Sequence, residues 1–455
     1  MHIHILGICG TFMGGVAALA RAAGHQVTGS DENVYPPMST QLAGLGIDIM
    51  QGYSAAHLDS APDYVVVGNA MSRGNPAVEA MLDRRIAYCS GPQWLAQHVL
   101  HDRHVLAVSG THGKTTTSCM LAWILEDAGL APGFLIGGIG SNFEVSARFG
   151  DSEYFVVEAD EYDTAFFDKR AKFVHYSPQT LVINNLEFDH ADIYADIDAI
   201  YWQFHQLMRT LASNGRIIAN ADDDNIATML EQGCWTPVEF FSLGNGCEWS
   251  GNFADTGERR IRILERGGEA VESPWQLGGS HNLENALAAV AAARSAGVSL
   301  PQAVDALSRF SGVRRRMERT ATVSDIAIYD DFAHHPTAIR RSIEGLKKRF
   351  PGQRIVIALE PRSNTMKMGV HKASLAEALD DADLVFVYRP DELSAVFDAS
   401  LKSLGKRLHV VNDYGLLLDK LEDRLLAGDQ LVFMSNGGFG GTRQKLTAAL
   451  RKKQQ

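Results

Sequence analysis

Between Val105 and Thr117 a short apolar run passes through Gly110-Thr111-His112-Gly113-Lys114-Thr115-Thr116 into a stretch of helical character. A strand turning into a helix at glycines commits the neighbouring chain to βαβ units and a parallel sheet. Such a turn also has a chemistry. Backbone N–H groups at the helix start converge on an anion, Lys114 adds a full positive charge, and the Thr115 hydroxyl can ligate Mg²⁺. Val108 stands where the longer phosphate-loop pattern has another glycine, so this is the shortened G-x-x-G-K-T form. Gly110, Thr111, His112, Gly113, Lys114, Thr115 and Thr116 are therefore candidate ATP-binding residues.

The same strand–turn–helix grammar recurs on both sides. His2–Gly7, a helix over Met13–Ala23 and a strand from His25 form a βαβ opening, and Tyr64–Gly68 reads as another strand. After the loop, strands are expected at Tyr154–Val157, Thr180–Asn184 and Gly215–Ala219, with an antiparallel excursion over Val238–Trp275 and an Ala-rich helix over Asn282–Ala296. A third set begins near Thr320: a strand at Ile326–Tyr329, a helix at Pro336–Lys348, and strands at Arg354–Leu359, Leu384–Val387 and Gln430–Met434. Because 455 residues exceed what one core usually supports, the expectation is an α/β chain of three domains, over 1–102, 103–319 and 320–455.

Composition narrows the chemistry. A net charge of −12 disfavours a general nucleic-acid binder, so positive charge for an anionic ligand has to be supplied locally, by Lys114, the Arg314-Arg315-Arg316 run or a metal. The five cysteines are scattered without a C-x-x-C pair and read as reduced thiols. No stretch approaches the roughly 20 apolar residues of a membrane span, and Met1-His2-Ile3-His4 lacks a basic leader, so a cytoplasmic location is expected.

Two acidic turns follow predicted strands, Glu158-Ala159-Asp160-Glu161 and Asn184-Asn185-Leu186-Glu187-Phe188-Asp189-His190. In open parallel sheets ligands gather outside the carboxyl ends of strands, which brings both turns beside the phosphate loop. Carboxylates with one imidazole suit Mg²⁺.

Taken in order, the G-T-H-G-K-T-T loop, the E-A-D-E and N-N-L-E-F-D-H turns, Gly279-Ser280-His281-Asn282-Leu283-Glu284-Asn285, Gly312-Val313-Arg314-Arg315-Arg316 and Asp330-Asp331-Phe332-Ala333-His334-His335-Pro336 resemble the motifs of Mur ligases. The resemblance runs the length of the chain. It implies Rossmann-like N- and C-terminal domains around a central P-loop ATPase-like domain. It also implies an ATP-dependent ligase of peptidoglycan metabolism that activates the carboxylate of UDP-N-acetylmuramate as an acyl phosphate. By resemblance, Asn282 and Asn285 hold adenine, Asp331 the ribose, and Arg315 or Arg316 the γ-phosphate side. Thr115, Glu158 and His190 hold metal, and His334 or His335 assists or orients the amine. The Gly7-Ile8-Cys9-Gly10 loop with Ser30 and Asp31 resembles the family's UDP-binding loop; taken alone its spacing is a poor dinucleotide fingerprint.

Several Mur ligases hold a second metal with a carbamylated lysine, yet no lysine occurs between Lys172 and Lys347. That points to the branch acting directly on UDP-N-acetylmuramate. Within it, Leu359-Glu360-Pro361-Arg362 and the Ser435–Gly441 loop resemble the enzyme that adds the tripeptide L-alanyl-γ-D-glutamyl-meso-diaminopimelate rather than the one that adds L-alanine. Arg362, Lys367, Ser435 and Asn436 are candidates to receive the tripeptide's extra carboxylates. Two other readings are a nicotinamide-dependent oxidoreductase, drawn from the first βαβ and Asp31, and a nucleotide-binding module without ligase activity. The first leaves the second phosphate loop and its acidic turns unexplained.

Overall fold

In the computed structural model, residues 1–34, 38–362, 366, 372–389 and 400–454 are described. Among the described residues, three large sheets and one two-stranded hairpin organise the chain. The first is wholly parallel: β1 (His2–Leu6), β2 (Gln26–Asp31), β3 (Asp48–Gln51), β4 (Tyr64–Val67) and β5 (Tyr88–Ser90), in the order β3-β2-β1-β4-β5. Strand order reverses between β1 and β4, which opens a crevice beyond Gly7.

The middle sheet has ten strands. Its centre is β6 (His104–Ser109), flanked by β9 (Tyr154–Glu158) and β12 (Thr180–Ile183), with β7 (Gly133–Leu135) and β8 (Ala147–Arg148) beyond β9. On the other side, β13 (Arg216–Asn220) and β14 (Val238–Ser242) continue the parallel order. Val238–Ser242 was expected to open an antiparallel excursion. It is instead a parallel strand, its Phe241 fully buried against the core, and the antiparallel ribbon starts only with β15 (Trp249–Phe253), β16 (Arg260–Glu265) and β17 (Val271–Pro274). The alternation there reflects partial burial of the strand, a pattern both strand directions share.

A small hairpin, β10 (Asp163–Ala165) with β11 (Asp168–Ala171), leaves the middle sheet and reaches the first: Phe166 packs on its Leu6–Val67 cluster, and Phe167 meets Tyr88 edge-on at 5.1 Å. The third sheet adds an edge strand that sequence reading passed over, β18 (Glu318–Val323), antiparallel to β19 (Ile326–Asp331). Beyond β19 come β23 (Gln430–Met434), β20 (Ile355–Leu359), β21 (Leu384–Tyr388) and β22 (Leu408–Val411), all parallel.

Packing decides where the loops meet. The helices Lys114–Asp127 and Ser280–Arg294 lie against one another, and the alanines of the second, Ala286 and Ala288 to Ala293, are buried. Small side chains let the backbones approach, carrying Asn285 to the phosphate loop. The first sheet is joined to the middle one by a continuous apolar cluster running from Ile3 and Val16 to Phe155 and Leu181. Among the described residues no helix is long and apolar enough to cross a membrane.

Gly15, in the helix Thr11–Ala22, marks that joint: a Cβ there would stand 2.2 Å from Leu135 Cδ1 of β7. Alanine would gain about 0.5–1 kcal/mol of helix propensity, whereas overpacking a filled core costs about 1–3 kcal/mol. Gly15→Ala is therefore expected to lower the melting temperature, by a net destabilisation of about 1 kcal/mol; a thermal melt that moves upward would show that the joint has room.

Candidate active site

β6 ends at Ser109, and the loop turns through Gly110 (φ +126°) and Gly113 (φ +82°), conformations that side chains rarely adopt. A Cβ at Gly113 would also stand 2.2 Å from Asn285 Oδ1. The same oxygen accepts from Thr117 Oγ1 at 3.1 Å and from Asn184 Nδ2 at 3.4 Å, so three segments close around the helix start. His112 N–H donates to Asn185 Oδ1 and Glu187 N–H to Thr111 Oγ1, fixing the loop from the second acidic turn.

Lys114 is half-buried with three acceptors: Gly110 O at 2.7 Å, Thr111 O at 3.4 Å and Glu161 Oε2 at 2.7 Å. Burial by itself would lower its ammonium, but Glu161 and Asp160 hold it above the ordinary lysine value. Glu161 is 2% exposed, and its other oxygen lies 2.9 Å from His190 Nε2. Burial works against the charged forms of both, yet Lys114 keeps the Glu161 carboxyl low and Glu161 keeps the His190 imidazole high. A lysine–carboxylate–imidazole chain thus runs from the phosphate loop to the second acidic turn.

Beside it, Thr115 Oγ1 donates to Glu158 Oε1 at 3.0 Å and Gly137 N–H to Glu158 Oε2 at 2.7 Å. Burial raises the Glu158 carboxyl, against Lys114. Asp160, pushed up by burial, is pulled down further by Lys172, whose ammonium donates to it at 2.8 Å. The ligand atoms of Asp160, Glu161 and His190 lie within 4.8 Å of one another. Carboxylates, a hydroxyl and one imidazole form a donor set suited to Mg²⁺.

The third sheet faces this cluster. Arg316 Nη2 donates to Thr115 Oγ1 at 3.2 Å, and its guanidinium lies over the Phe332 ring at 4.6 Å. Arg315 turns away. Its guanidinium donates to the Ser435 carbonyl at 2.9 Å and lies 3.6 Å from Asp330, so of the two arginines Arg316 is the one that reaches Thr115. Asp331 is 4% exposed, accepts from Ser342 Oγ at 2.7 Å, and has its carboxyl raised by burial. Asn282, Asn285, Asp331, Gly113 and Thr116 line one pocket. A second cleft brings together Lys114, Glu158, His190, Arg316, His334, Arg362 and Asn436.

His334 and His335 part company. His334 Nδ1 lies 2.9 Å from the Phe332 carbonyl, which accepts only, so Nδ1 carries the hydrogen and Nε2 the lone pair. Burial holds this imidazole below its ordinary value. His335 caps the helix Pro336–Arg349, accepting the Thr337 N–H, and packs against His112 at 4.6 Å.

Several sequence candidates have other work. Ser435 is 2% exposed and donates its hydroxyl to Glu360. Ser30 is buried, 2.6 Å from His4 Nε2. Asp31 accepts the Cys9 and Asn33 N–H groups, shaping the loop that Gly7 (φ +80°) and Gly10 begin. Arg362 is exposed beside Gly437, where a Cβ would come within 2.6 Å of its Cδ. Lys367 lies outside the described residues.

With this geometry in view, the sequence matches the models for the Mur ligase family, catalytic domain, over residues 2–103, the Mur ligase middle domain over 108–293, and the Mur ligase, glutamate ligase domain, over 315–437. The chain belongs to the Mur ligase family. It is 51% identical over 454 residues (100% of this chain, 99% of the relative) to the UDP-N-acetylmuramate–L-alanyl-γ-D-glutamyl-meso-2,6-diaminoheptandioate ligase of Escherichia coli strain K12. It is 30% identical, over 98% of this chain and 94% of the relative, to the UDP-N-acetylmuramate–L-alanine ligase of a Psychrobacter species. The crystal structure of a murein peptide ligase from Psychrobacter arcticus covers 99% of each chain with a TM-score of 0.78 and 46% identity.

In this Mur ligase, the E-A-D-E turn points from sequence to Glu158 alone; Asp160, Glu161 and Lys172 join the cluster through folding. The extra carboxylates of the turn were the available signal. Glu187 was likewise unassigned. It lies 3.3 Å from His112 Nε2 and accepts from Thr337 Oγ1 at 2.7 Å, tying the middle sheet to the third. Burial opposes its charge, but His112, Thr337 and His335 hold the carboxyl down at about 2. A depressed carboxylate stabilises above its unfolded pKa and loses that contribution as pH falls through the folded one. Glu187→Gln is expected to reduce stability by about 1–2 kcal/mol near pH 7, after solvent screening, and to flatten the loss between about pH 4.5 and 2. Denaturant titrations across that range check it; parallel wild-type and variant curves would remove the latch.

Proposed function

We propose that this Mur ligase joins L-alanyl-γ-D-glutamyl-meso-diaminopimelate to UDP-N-acetylmuramate at the expense of ATP, in peptidoglycan recycling in the cytoplasm. The observation that carries the reading is the full-length 51% identity to a relative bearing that activity's name, against 30% to an alanine-adding one. The site's chemistry supports it. Phosphate loop, acidic cluster and third-sheet residues share one cleft, which suits a reaction of three anionic partners.

A carboxylate is a poor acylating agent. Its oxygen attacks the γ-phosphorus of ATP, ADP leaves, and the acyl phosphate is then attacked by the tripeptide's amine with loss of phosphate. Lys114 exchanges its Glu161 partner for phosphate oxygens, and Arg316, already at Thr115, stabilises charge on the transferring group. Thr115, Glu158 and His190, with Asp160 and Glu161 beside them, would hold Mg²⁺, which when bound offsets phosphate charge. Asn282 and Asn285 receive adenine and Asp331 the ribose. His334, neutral and with Nε2 bearing the lone pair, accepts a proton from the attacking amine, a role closed to His335 while it caps its helix. Gly7, Gly10 and the loop that Asp31 braces receive the uridine nucleotide, and Arg362 and Asn436 the distal peptide carboxylates.

With ATP, Mg²⁺ and UDP-N-acetylmuramate, the tripeptide is expected to react much faster than L-alanine, read as product mass and kcat/KM. Arg362→Ala should lower kcat/KM for the tripeptide by about 1–3 kcal/mol of transition-state binding, the range expected for an exposed guanidinium that the ligand partly buries. Equal or better use of L-alanine would defeat the tripeptide assignment.

Removal of carbon dioxide and bicarbonate is expected to leave turnover unchanged, because both lysines beside the acidic cluster are engaged in ion pairs, Lys172 with Asp160 and Lys114 with Glu161. Activity recovered on adding bicarbonate back would show a lysine carbamate in the site.

A further inference from the structure

Lys172 is a buried cation whose hydrogen-bonding capacity is largely unspent. It is 8% exposed and begins the short helical turn Lys172–His175, immediately after the β10–β11 hairpin that docks on the first sheet. An ammonium has three N–H donors. Among the described residues Lys172 Nζ makes one hydrogen bond, to Asp160 at 2.8 Å, whereas Lys114 reaches three acceptors. Its remaining neighbours are ring faces: Phe12, in the first turn after the Gly7–Gly10 loop, and Tyr162, each with its centroid 5.6 Å from Nζ. Rings favour a cation without satisfying its N–H groups as an anion does.

The position is as telling as the valence. Asp160 and Tyr162 line the cleft that contains Lys114 and Thr115, so Lys172 borders the reacting end. Phe12 belongs to the first unit, so Lys172 also borders the seam with the nucleotide loop. A sugar nucleotide anchored at Gly7–Gly10 that presents its carboxylate to a phosphate at Lys114 passes this seam. Asp160 holds the ammonium in place without exhausting it.

Resting on the function proposed above, we infer that Lys172 is a substrate-binding residue that receives the carboxylate of UDP-N-acetylmuramate, bringing it to the phosphate loop. The carboxylate is favoured over the diphosphate because Lys172 pairs with a residue of the reacting cleft rather than with the Gly7–Gly10 backbone.

The test compares two sugar nucleotides by calorimetry on the full-length protein: UDP-N-acetylmuramate, and UDP-N-acetylglucosamine, which lacks the carboxylate. Wild-type product formation is established first, so that failure of the ligase reading is seen separately. Lys172→Met is expected to weaken UDP-N-acetylmuramate binding roughly tenfold or more, as loss of a charge-assisted hydrogen bond does, while UDP-N-acetylglucosamine binding changes by less than about twofold. In turnover, KM for UDP-N-acetylmuramate rises while KM for ATP holds, and Lys172→Arg recovers part of the loss. Should Lys172→Met misfold from leaving Asp160 unpaired, the double variant Asp160→Asn, Lys172→Met keeps the pair neutral and should show the same selective loss. Equal weakening of both nucleotides would assign Lys172 to the diphosphate. Wild-type affinity in the double variant would reduce Lys172 to the counter-ion of Asp160. Either result overturns the inference.

Discussion

The site depends on a charge chain that solvent hardly reaches: Lys114 to Glu161 at 2.7 Å, and Glu161 to His190 at 2.9 Å. An isolated ammonium or carboxylate in such a place would be driven toward its neutral form. Together they hold each other charged, and the phosphate-loop lysine is kept ready for anions by a carboxylate standing where phosphate oxygens can replace it. A protein of net charge −12 thereby presents strong local cations to an anionic ligand. Lys172 with Asp160 repeats the device nearby, and Arg316, directed at Thr115, applies it from the third sheet.

The chain also explains why the cleft forms at the meeting of separate sheets. Five of the contributing positions stand at or just beyond the carboxyl end of a parallel strand: Gly110 after β6, Glu158 at the end of β9, Asn184 after β12, Asp331 at the end of β19 and Ser435 after β23. Contacts across the units then set the gap. Glu187 reaches His112 and Thr337, Arg315 holds the carbonyl of Ser435, and Asn285 fills the space that only glycine at position 113 leaves open. Binding energy and positioning are therefore shared between elements that are far apart in sequence, as a reaction joining separate anionic substrates requires.

Local chemistry was legible in the sequence by itself: the strand–glycine–helix turn at Gly110–Lys114, the βαβ opening, the strands that end in acidic turns and the third α/β unit. Each depends on periodicity or turn residues within about a dozen positions. The ordered motifs carried the family likewise, because each motif is a contiguous stretch. Tertiary structure decided what depends on distances across the chain. The parallel direction of Val238–Ser242 follows from its neighbour β13, and a half-buried alternation does not encode it. Arg315 and Arg316 are adjacent in sequence, yet the positive φ of +59° at Arg315 helps send one guanidinium to Ser435 and the other to Thr115. His334 and His335 diverge because one meets a carbonyl and the other an N–H. Glu161, Lys172 and Glu187 gained their parts only when folding placed them against partners up to 150 residues away, as Glu187 is from Thr337, since charge acts through space rather than along the chain.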